Sequence, residues 1–225
     1  DSAFQVLQQA ERLEIATKNH VGLRAVYNTK ALLYKRNELY DEALEVYQKA
    51  LSIKDSSITN MQRRITHVNL GNVYVKKGVY DVAVYHLQQS LLLNKDDMTS
   101  RQTIKTYTNL GNVYSLSSDY NLAEFYYKKA LKHYKNNENE AEIAKIYNNL
   151  GALFYEKSED VLSLEYFKKS IQLKEKTQDS SALVEGYLNI AELYSDLNHL
   201  VAFEYLDKAE NLSLIHISEP TRQEA

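Results

Sequence analysis

The chain of 225 residues contains no cysteine and no tryptophan, and it has only one proline and six glycines. The absence of cysteine excludes disulfides, thiolate zinc sites and cysteine nucleophiles. No apolar run approaches the roughly 20 residues that a membrane-spanning helix needs. The 27 basic and 30 acidic residues nearly balance, which gives no electrostatic reason to expect nucleic acid or an anionic membrane as a partner. With Pro220 as its only proline, the chain is almost free of helix breakers.

What the sequence does contain is an internal repeat with a period of forty residues. The string NLGNVY occurs at Asn69–Tyr74 and again at Asn109–Tyr114. Related strings follow in the same phase: NLGALF at Asn149–Phe154, NIAELY at Asn189–Tyr194 and the weaker TKALLY at Thr29–Tyr34. The repeat therefore governs the fold and has to be interpreted before any local pattern.

Each repeat unit shows the spacing of two helices. Tyr107, Leu110, Gly111 and Tyr114 follow the i, i+3, i+4, i+7 pattern of one helix face, and a second such pattern begins at Ala123. The polar segment between them is short enough to require an antiparallel helix pair. One column always holds a small residue, which predicts a structural role in the close approach of two helices. Its members are Ala31, Gly71, Gly111, Gly151 and Ala191.

The phase of the repeat predicts the organisation of the whole chain. Residues 1–19 are the second helix of a truncated repeat, because the apolar columns of a second helix extend back to Ala3. Five repeats are then predicted over residues 20–59, 60–99, 100–139, 140–179 and 180–211. Residues 212–225 break the pattern. Their LSLIHISEPTR string resembles one translated frame of a sequencing-library adapter, so we predict a non-native adapter-derived tail and a gene that continues in both directions.

These columns resemble the tetratricopeptide repeat, with an aromatic, Leu-Gly and Tyr in the first helix and Ala-x3-aromatic-x2-Ala in the second. Two features depart from the family: its usual period is about 34 residues, and its proline between units is missing here. Long units of this kind are similar to those of kinesin light chains and bacterial quorum-peptide receptors. Armadillo and HEAT repeats have a similar length, but they fit the Gly/Ala-plus-Tyr pattern poorly. The resemblance implies an all-α fold, a right-handed superhelical solenoid of antiparallel helix pairs with about eleven helices.

The resemblance also implies that the first helices line a concave groove that binds a peptide or protein segment. Asparagine recurs on that face although it is a poor residue inside a helix. We leave two interpretations open: the carboxamides pair with the amide groups of a peptide, or they bond the neighbouring helix and set the angle between repeats. The predicted peptide-binding residues are Asn69, Asn72, Lys105, Asn109, Asn112, Lys145, Asn148, Asn149 and Asn189.

Two further features bear on the ligand of this groove. Some family members clamp the carboxylates of a partner C-terminus, and Asn72, Asn109 and Lys145 occupy three of the five places that this clamp needs. Val68 and Asn149 stand where basic residues should be, so no true clamp is predicted. The acidic residues of the fifth repeat would make that end of the groove negative. They are Glu185, Glu192 and Asp196.

No enzymatic activity, metal or cofactor is predicted. The chain has no phosphate-binding loop, since Gly71 and Gly78 are its closest glycines and no Lys-Ser/Thr follows them. The histidines do not pair at ligand spacing along the sequence, so each is predicted to be a surface or packing residue. They are His20, His67, His86, His133, His199 and His216.

Two functions fit these observations. The first is an interaction module that binds a peptide or protein, with no nucleic acid and no membrane involved in this segment. The second is the sensory or regulatory region of a larger bacterial signalling protein, a histidine kinase or a transcription regulator, whose output domain lies beyond Asn211. The expected location is the cytoplasm, although a chain without cysteine suits the periplasm equally well.

Overall fold

The computed structural model describes residues 2–94, 100–134, 139–177, 180–195 and 197–218, which form α-helices joined by turns, with no strand among them. The predicted all-α class and the number of eleven helices are both confirmed. The chain divides into two compact units, Asp1–Ser117 and Ser118–Ala225. The first unit contains α1 (Ser2–Ala16), α2 (His20–Arg36), α3 (Tyr40–Ser52), α4 (Asn60–Lys76), α5 (Tyr80–Leu92) and α6 (Arg101–Leu116). The second contains α7 (Tyr120–His133), α8 (Glu140–Glu156), α9 (Asp160–Thr177), α10 (Ser180–Tyr194) and α11 (His199–Ser218).

Within each unit, helices that follow one another in the chain pack together. In the first unit α2 packs on α3 and α4 on α5, and in the second α8 packs on α9 and α10 on α11. Turns of three residues join α2 to α3, α4 to α5 and α8 to α9, so these pairs are antiparallel. In each of these turns the middle residue has a positive φ. The three are Glu38, Gly78 and Ser158.

Local side chains fix where several helices begin. Thr59 and Gln62 form a capping box at the start of α4, in which the hydroxyl of Thr59 accepts from the Gln62 amide and the Gln62 side chain accepts from the Thr59 amide. Asn19 caps α2 and Ser100 caps α6 in the simpler way, with one side-chain oxygen that accepts a backbone N–H. These caps use amide groups that would otherwise be left without partners at the helix ends.

The small-residue column lies in the cores. Ala31, Gly71, Gly111, Gly151 and Ala191 are all buried. A Cβ on Gly71 would lie 3.0 Å from Leu87 Cγ, and a Cβ on Gly151 would lie 2.5 Å from Phe167 Cδ1. Each glycine therefore gives the facing side chain of the next helix the room that a methyl group would fill.

An aromatic trio of the same geometry recurs in three helix pairs. In the second unit, Tyr166 stacks on Phe154 at 5.4 Å between ring centroids and meets Tyr147 at 5.9 Å with a 38° tilt. Tyr205 is placed in the same way between Tyr194 and Tyr187. In the first unit His86 stacks on Tyr74 at 5.5 Å, and its ring meets that of His67 at 5.3 Å with a 39° tilt. Six of the 19 tyrosines are thus packing material between paired helices.

The last helix continues into the predicted adapter-derived tail. α11 extends to Ser218, and Leu212 packs against the cluster around Phe167 and Ile190. Pro220 lies outside the described residues. The helix in this segment reflects its apolar residues and does not bear on the origin of the tail, which stays a prediction. None of the helices in the described part is long and apolar enough to cross a membrane.

Candidate functional site

In the first unit the predicted binding residues follow one face of each first helix. Asn69 and Asn72 on α4, and Lys105, Asn109 and Asn112 on α6, repeat at intervals of three and four residues, which places them on one face of each helix. We call these five residues the amide stripe. Lys105 is exposed, and the four asparagines are half-buried. The stripe therefore meets solvent while much of each carboxamide lies against protein.

The amide stripe joins two helices only weakly. The Nδ2 of Asn109 donates to Oδ1 of Asn72 over 3.5 Å, which is the long limit of a hydrogen bond. Asn69 forms no side-chain hydrogen bond with any residue that the structure describes. A carboxamide carries two donor hydrogens and an acceptor oxygen. Asn69 therefore keeps hydrogen-bonding capacity that the described protein does not use.

A cavity of about 150 Å³ opens between α4, α5 and α6 beside this stripe. Asn69 and Lys105 both line it, so the structure brings together two of the residues predicted from the sequence. The other lining residues are Met61, Arg64, Ile65, Val68, Ser90, Gln102 and Thr106. The repeat pattern does not predict this cavity, because the pattern describes one helix face at a time and the walls of the cavity combine three helices.

Two arginines of this unit are buried, which the repeat pattern alone does not predict. Arg24 donates to the Thr66 hydroxyl, and Arg64 donates to Thr103 Oγ1 over 3.4 Å. Burial, and to a smaller extent the neighbouring Arg63, lowers the pKa of Arg24 to about 10. Arg24 and Arg64 are forty residues apart and occupy the same column, which is the signal that could have identified them.

In the second unit the predicted residues take part in bonds between helices. Asn148 is buried, accepts from Nδ2 of Asn189 over 3.0 Å and donates to Glu185 Oε1 over 3.1 Å. The side chain of Asn149 hydrogen-bonds the hydroxyl of Tyr127, whose pKa is raised well above its ordinary value by burial. These contacts match the interpretation in which asparagine sets the angle between repeats. Lys145 is different, because it is exposed and has no ion-pair partner among the residues that the structure describes.

The acidic end of the groove is only partly described. Glu185 and Glu192 are both exposed on α10, and Glu185 is the acceptor for Asn148. Asp196 lies outside the described residues. One of the two glutamates is therefore already engaged within the protein.

The structure pairs two histidines that the sequence analysis treated separately. His67 on α4 and His86 on α5 bring their Nδ1 atoms to 3.0 Å, although they are nineteen residues apart in the chain. Burial lowers the pKa of both rings, that of His86 to about 4. The neighbouring His67 further lowers the pKa of His86, and the neighbouring Arg24 further lowers the pKa of His67. The repeat columns could have indicated this pair, since Tyr147 and Tyr166 of repeat 4 stand at the positions of His67 and His86. No group of three metal-ligating side chains occurs in the part of the chain that the structure describes.

Comparisons with known proteins point in one direction. Two family models, both of the tetratricopeptide repeat, match residues 25–57 and 62–136. No curated protein sequence is significantly similar to this chain. Among solved structures, BtubC (BKLC) from P. vanneervenii has a TM-score of 0.81 at 19% identity, over 100% of this chain and 93% of its own.

Two further solved structures share the fold. Aspartyl phosphate phosphatase F from Bacillus subtilis has a TM-score of 0.80 at 16% identity, over 92% of this chain and 55% of its own. MamA has a TM-score of 0.61 at 19% identity, over 84% of this chain and 97% of its own. At these identities the likeness concerns the fold alone. Because the matched repeats and these neighbours agree with the forty-residue helix pairs, the chain is a tetratricopeptide repeat protein.

Proposed function

We propose that this protein is an interaction module whose amide stripe binds an extended peptide segment of a protein partner. Tetratricopeptide repeats generally serve as protein-interaction scaffolds, and no part of the proposal requires catalysis. The observation that carries it is Asn69, a half-buried carboxamide that makes no side-chain hydrogen bond among the described residues and lines an open cavity. A polar group in that position gains most from a ligand that supplies both a donor and an acceptor.

A peptide backbone is such a ligand. Its N–H and C=O groups alternate along an extended chain, and each can pair with one carboxamide of the stripe. Asn72 and Asn109 share one long bond and can exchange it for bonds to a peptide. Asn148, Asn149 and Asn189 are already bonded within the second unit, so they carry less of the proposal.

The proposal is tested by replacing Asn69, Asn72 and Asn109 with alanine together. A random peptide library displayed on phage is selected on the unmodified chain, and the affinities of the recovered peptides for both proteins are measured by fluorescence anisotropy. We expect binding to fall at least about tenfold, since several hydrogen bonds of about 1 kcal/mol each are lost. Far-UV circular dichroism should show unchanged helicity, because alanine is the better helix former.

Asn121→Ala is the matched control. Asn121 is exposed on α7 in the second unit and forms no side-chain hydrogen bond among the described residues. This variant should bind the recovered peptides as the unmodified chain does. If the triple variant also binds them with unchanged affinity, the stripe is not the binding surface.

The sensory or regulatory role in a larger signalling protein stays a prediction. Aspartyl phosphate phosphatase F shares the fold over 55% of its own length, and that likeness does not extend to its activity. Sequencing the gene beyond both ends of this chain tests the alternative: a kinase, DNA-binding or membrane-spanning segment would favour it, and further repeats would favour the scaffold.

A further inference from the structure

The cavity beside the amide stripe has a composition that specifies part of its ligand. We infer that it receives one large apolar side chain of the bound peptide, such as leucine, methionine or phenylalanine, with an acidic residue next to it in the peptide. This inference rests on the proposed function and adds the chemistry of the peptide to it. A volume of about 150 Å³ suits the size of such a side chain, since an apolar protein cavity of about that volume accepts benzene.

The walls of the cavity are apolar where they meet solvent. Met61 is 52% exposed and Ile65 is 46% exposed, and both lie on the same face of α4 as Val68. Large apolar side chains that cluster at the mouth of a cavity gain free energy when a ligand covers them. An apolar ligand side chain would therefore remove both its own surface and that of α4 from water.

No other repeat combines two large apolar residues at the columns of Met61 and Ile65, and the first repeat has Val21 and Ala25 there. The position of Ile65 is taken by Lys105, Lys145 and Glu185 in the later repeats. The position of Met61 is taken by Arg101, Ala141 and Ser181. The repeat fold itself does not need two large apolar residues at these places, because none of the other repeats has them. Ligand contact explains why they occur in α4.

Ser90 forms part of the cavity wall and is a buried group without a hydrogen bond. Its Oγ is fully buried and has no partner among the described residues. At the same column in the second unit, Ser170 donates to the carbonyl oxygen of Ala144 over 2.8 Å. Ser90, which lines the cavity, therefore lacks the hydrogen bond that Ser170 makes. A buried hydroxyl left unbonded costs free energy, and an apolar side chain in the cavity would leave that cost unchanged.

The charged residues of the lining indicate what flanks the apolar side chain. Arg64 and Lys105 are cationic, each already makes an interaction within the protein, and no other lining residue that the structure describes is charged. Asp96 and Asp97 lie outside the described residues. Opposite charges attract across such a mouth and discriminate against the wrong partner. An aspartate or glutamate beside the apolar residue of the peptide fits this arrangement.

The test uses the full chain and variants that the other repeats already contain. Peptides are selected from the random phage library on the unmodified chain, and their affinities are measured for Ile65→Ala and Ile65→Glu, which copy Ala25 and Glu185 of the same column. We expect recovered peptides to share a large apolar residue beside Asp or Glu. Ile65→Ala should lower the affinity of these peptides several-fold. Ile65→Glu should lower it at least about tenfold, because the glutamate removes apolar contact and repels the acidic residue of the peptide.

Two control variants keep the experiment interpretable. Tyr85→Glu removes an apolar side chain that is 55% exposed on α5 outside the cavity, and copies Glu45 and Glu165 of its column. Ser90→Ala copies Ala50 and Ala130, so it should fold. Tyr85→Glu should leave affinity unchanged, and Ser90→Ala should reduce it less than Ile65→Glu does. Peptides that bind the unmodified chain and Ile65→Glu equally would overturn this inference and leave the proposed function standing. If no peptide is recovered, both are wrong.

Discussion

At the scale of single residues, the turns inside the helix pairs show how little the sequence reveals about backbone geometry. Gly78, with φ of 72°, is the only glycine among the described turn residues with positive φ. Glu38 and Ser158 adopt the same left-handed conformation, with φ of 61° and 57°. In all three turns, the amide of the residue that follows donates to a carbonyl five positions earlier, as in a Schellman motif. The helix pair therefore imposes this conformation whichever residue is present.

Replacing Ser158 with glycine should stabilise the second unit. The left-handed conformation costs a non-glycine residue about 1 kcal/mol of stability, and it costs glycine nothing comparable. The reverse change, Gly78→Ala, should cost a similar amount, and it reports the backbone alone because a Cβ at Gly78 would meet no atom within 4 Å. Urea unfolding measures both changes. Equal urea midpoints for the unmodified chain, Ser158→Gly and Gly78→Ala would show that the turn conformation carries no strain.

The paired histidines predict a pH dependence. Because the pKa of His86 falls to about 4 in the folded protein and that of His67 is also lowered, the unfolded chain binds more protons than the folded chain between about pH 6.5 and 4. The free energy of unfolding should therefore decrease as the pH falls through this window, by roughly 1–2 kcal/mol for half-buried rings. Urea unfolding at a series of pH values measures the decrease.

A matched variant isolates this effect. His67→Tyr combined with His86→Tyr installs the residues that stand at the same places in Tyr147 and Tyr166, so the ring packing is preserved. The double variant should lose the decrease between pH 6.5 and 4. Asp55, whose pKa is lowered to about 2 by hydrogen bonds from Ser57 and His20, loses its contribution below that window. An unchanged slope in the double variant would assign the pH dependence to other groups.

At the scale of helices, the repeat phase predicted the all-helical class. The small-residue column that it identified is buried in the structure. Periodicity succeeds here because an apolar face has to be covered in every repeat. It could not predict the cavity or the histidine pair, since both depend on which side chains meet across different helices.

Gly151→Ala tests how closely the helices of one pair approach. The new Cβ would lie within 2.8 Å of three ring atoms of Phe167, which is itself buried, so the ring has to shift. We expect a net loss of about 1–2 kcal/mol, because this overpacking exceeds the gain from the better helix propensity of alanine. Unfolding in urea gives the total, and hydrogen exchange should localise the loss to α8 and α9.

A second substitution checks the cause. Phe167→Leu, which copies the pairing of Gly71 with Leu87, should recover part of the stability when combined with Gly151→Ala. The two changes should be non-additive because the residues touch. Strict additivity would mean that the loss arises elsewhere.

At the scale of the whole molecule, the sequence predicted the family and fold class, while the site is predicted only in part. Asn69 and Lys105 do line one cavity. Asn148 and Asn189 instead bond each other in the second unit. Columns identify residues that share a face, but the partner of a carboxamide depends on distances of a few tenths of an ångström. Those distances are set by packing between helices and cannot be obtained from a repeat pattern.

The recurring aromatic trio has a consequence for how such a protein can change over time. Three helix pairs hold their rings at nearly the same separations, yet one of them uses two histidines where the others use tyrosines. The chemistry of a single repeat can thus be altered without changing the spacing that its neighbours need. Gene duplication supplies the copies, and each copy is then free to acquire its own sensitivity to the surroundings while the scaffold stays the same.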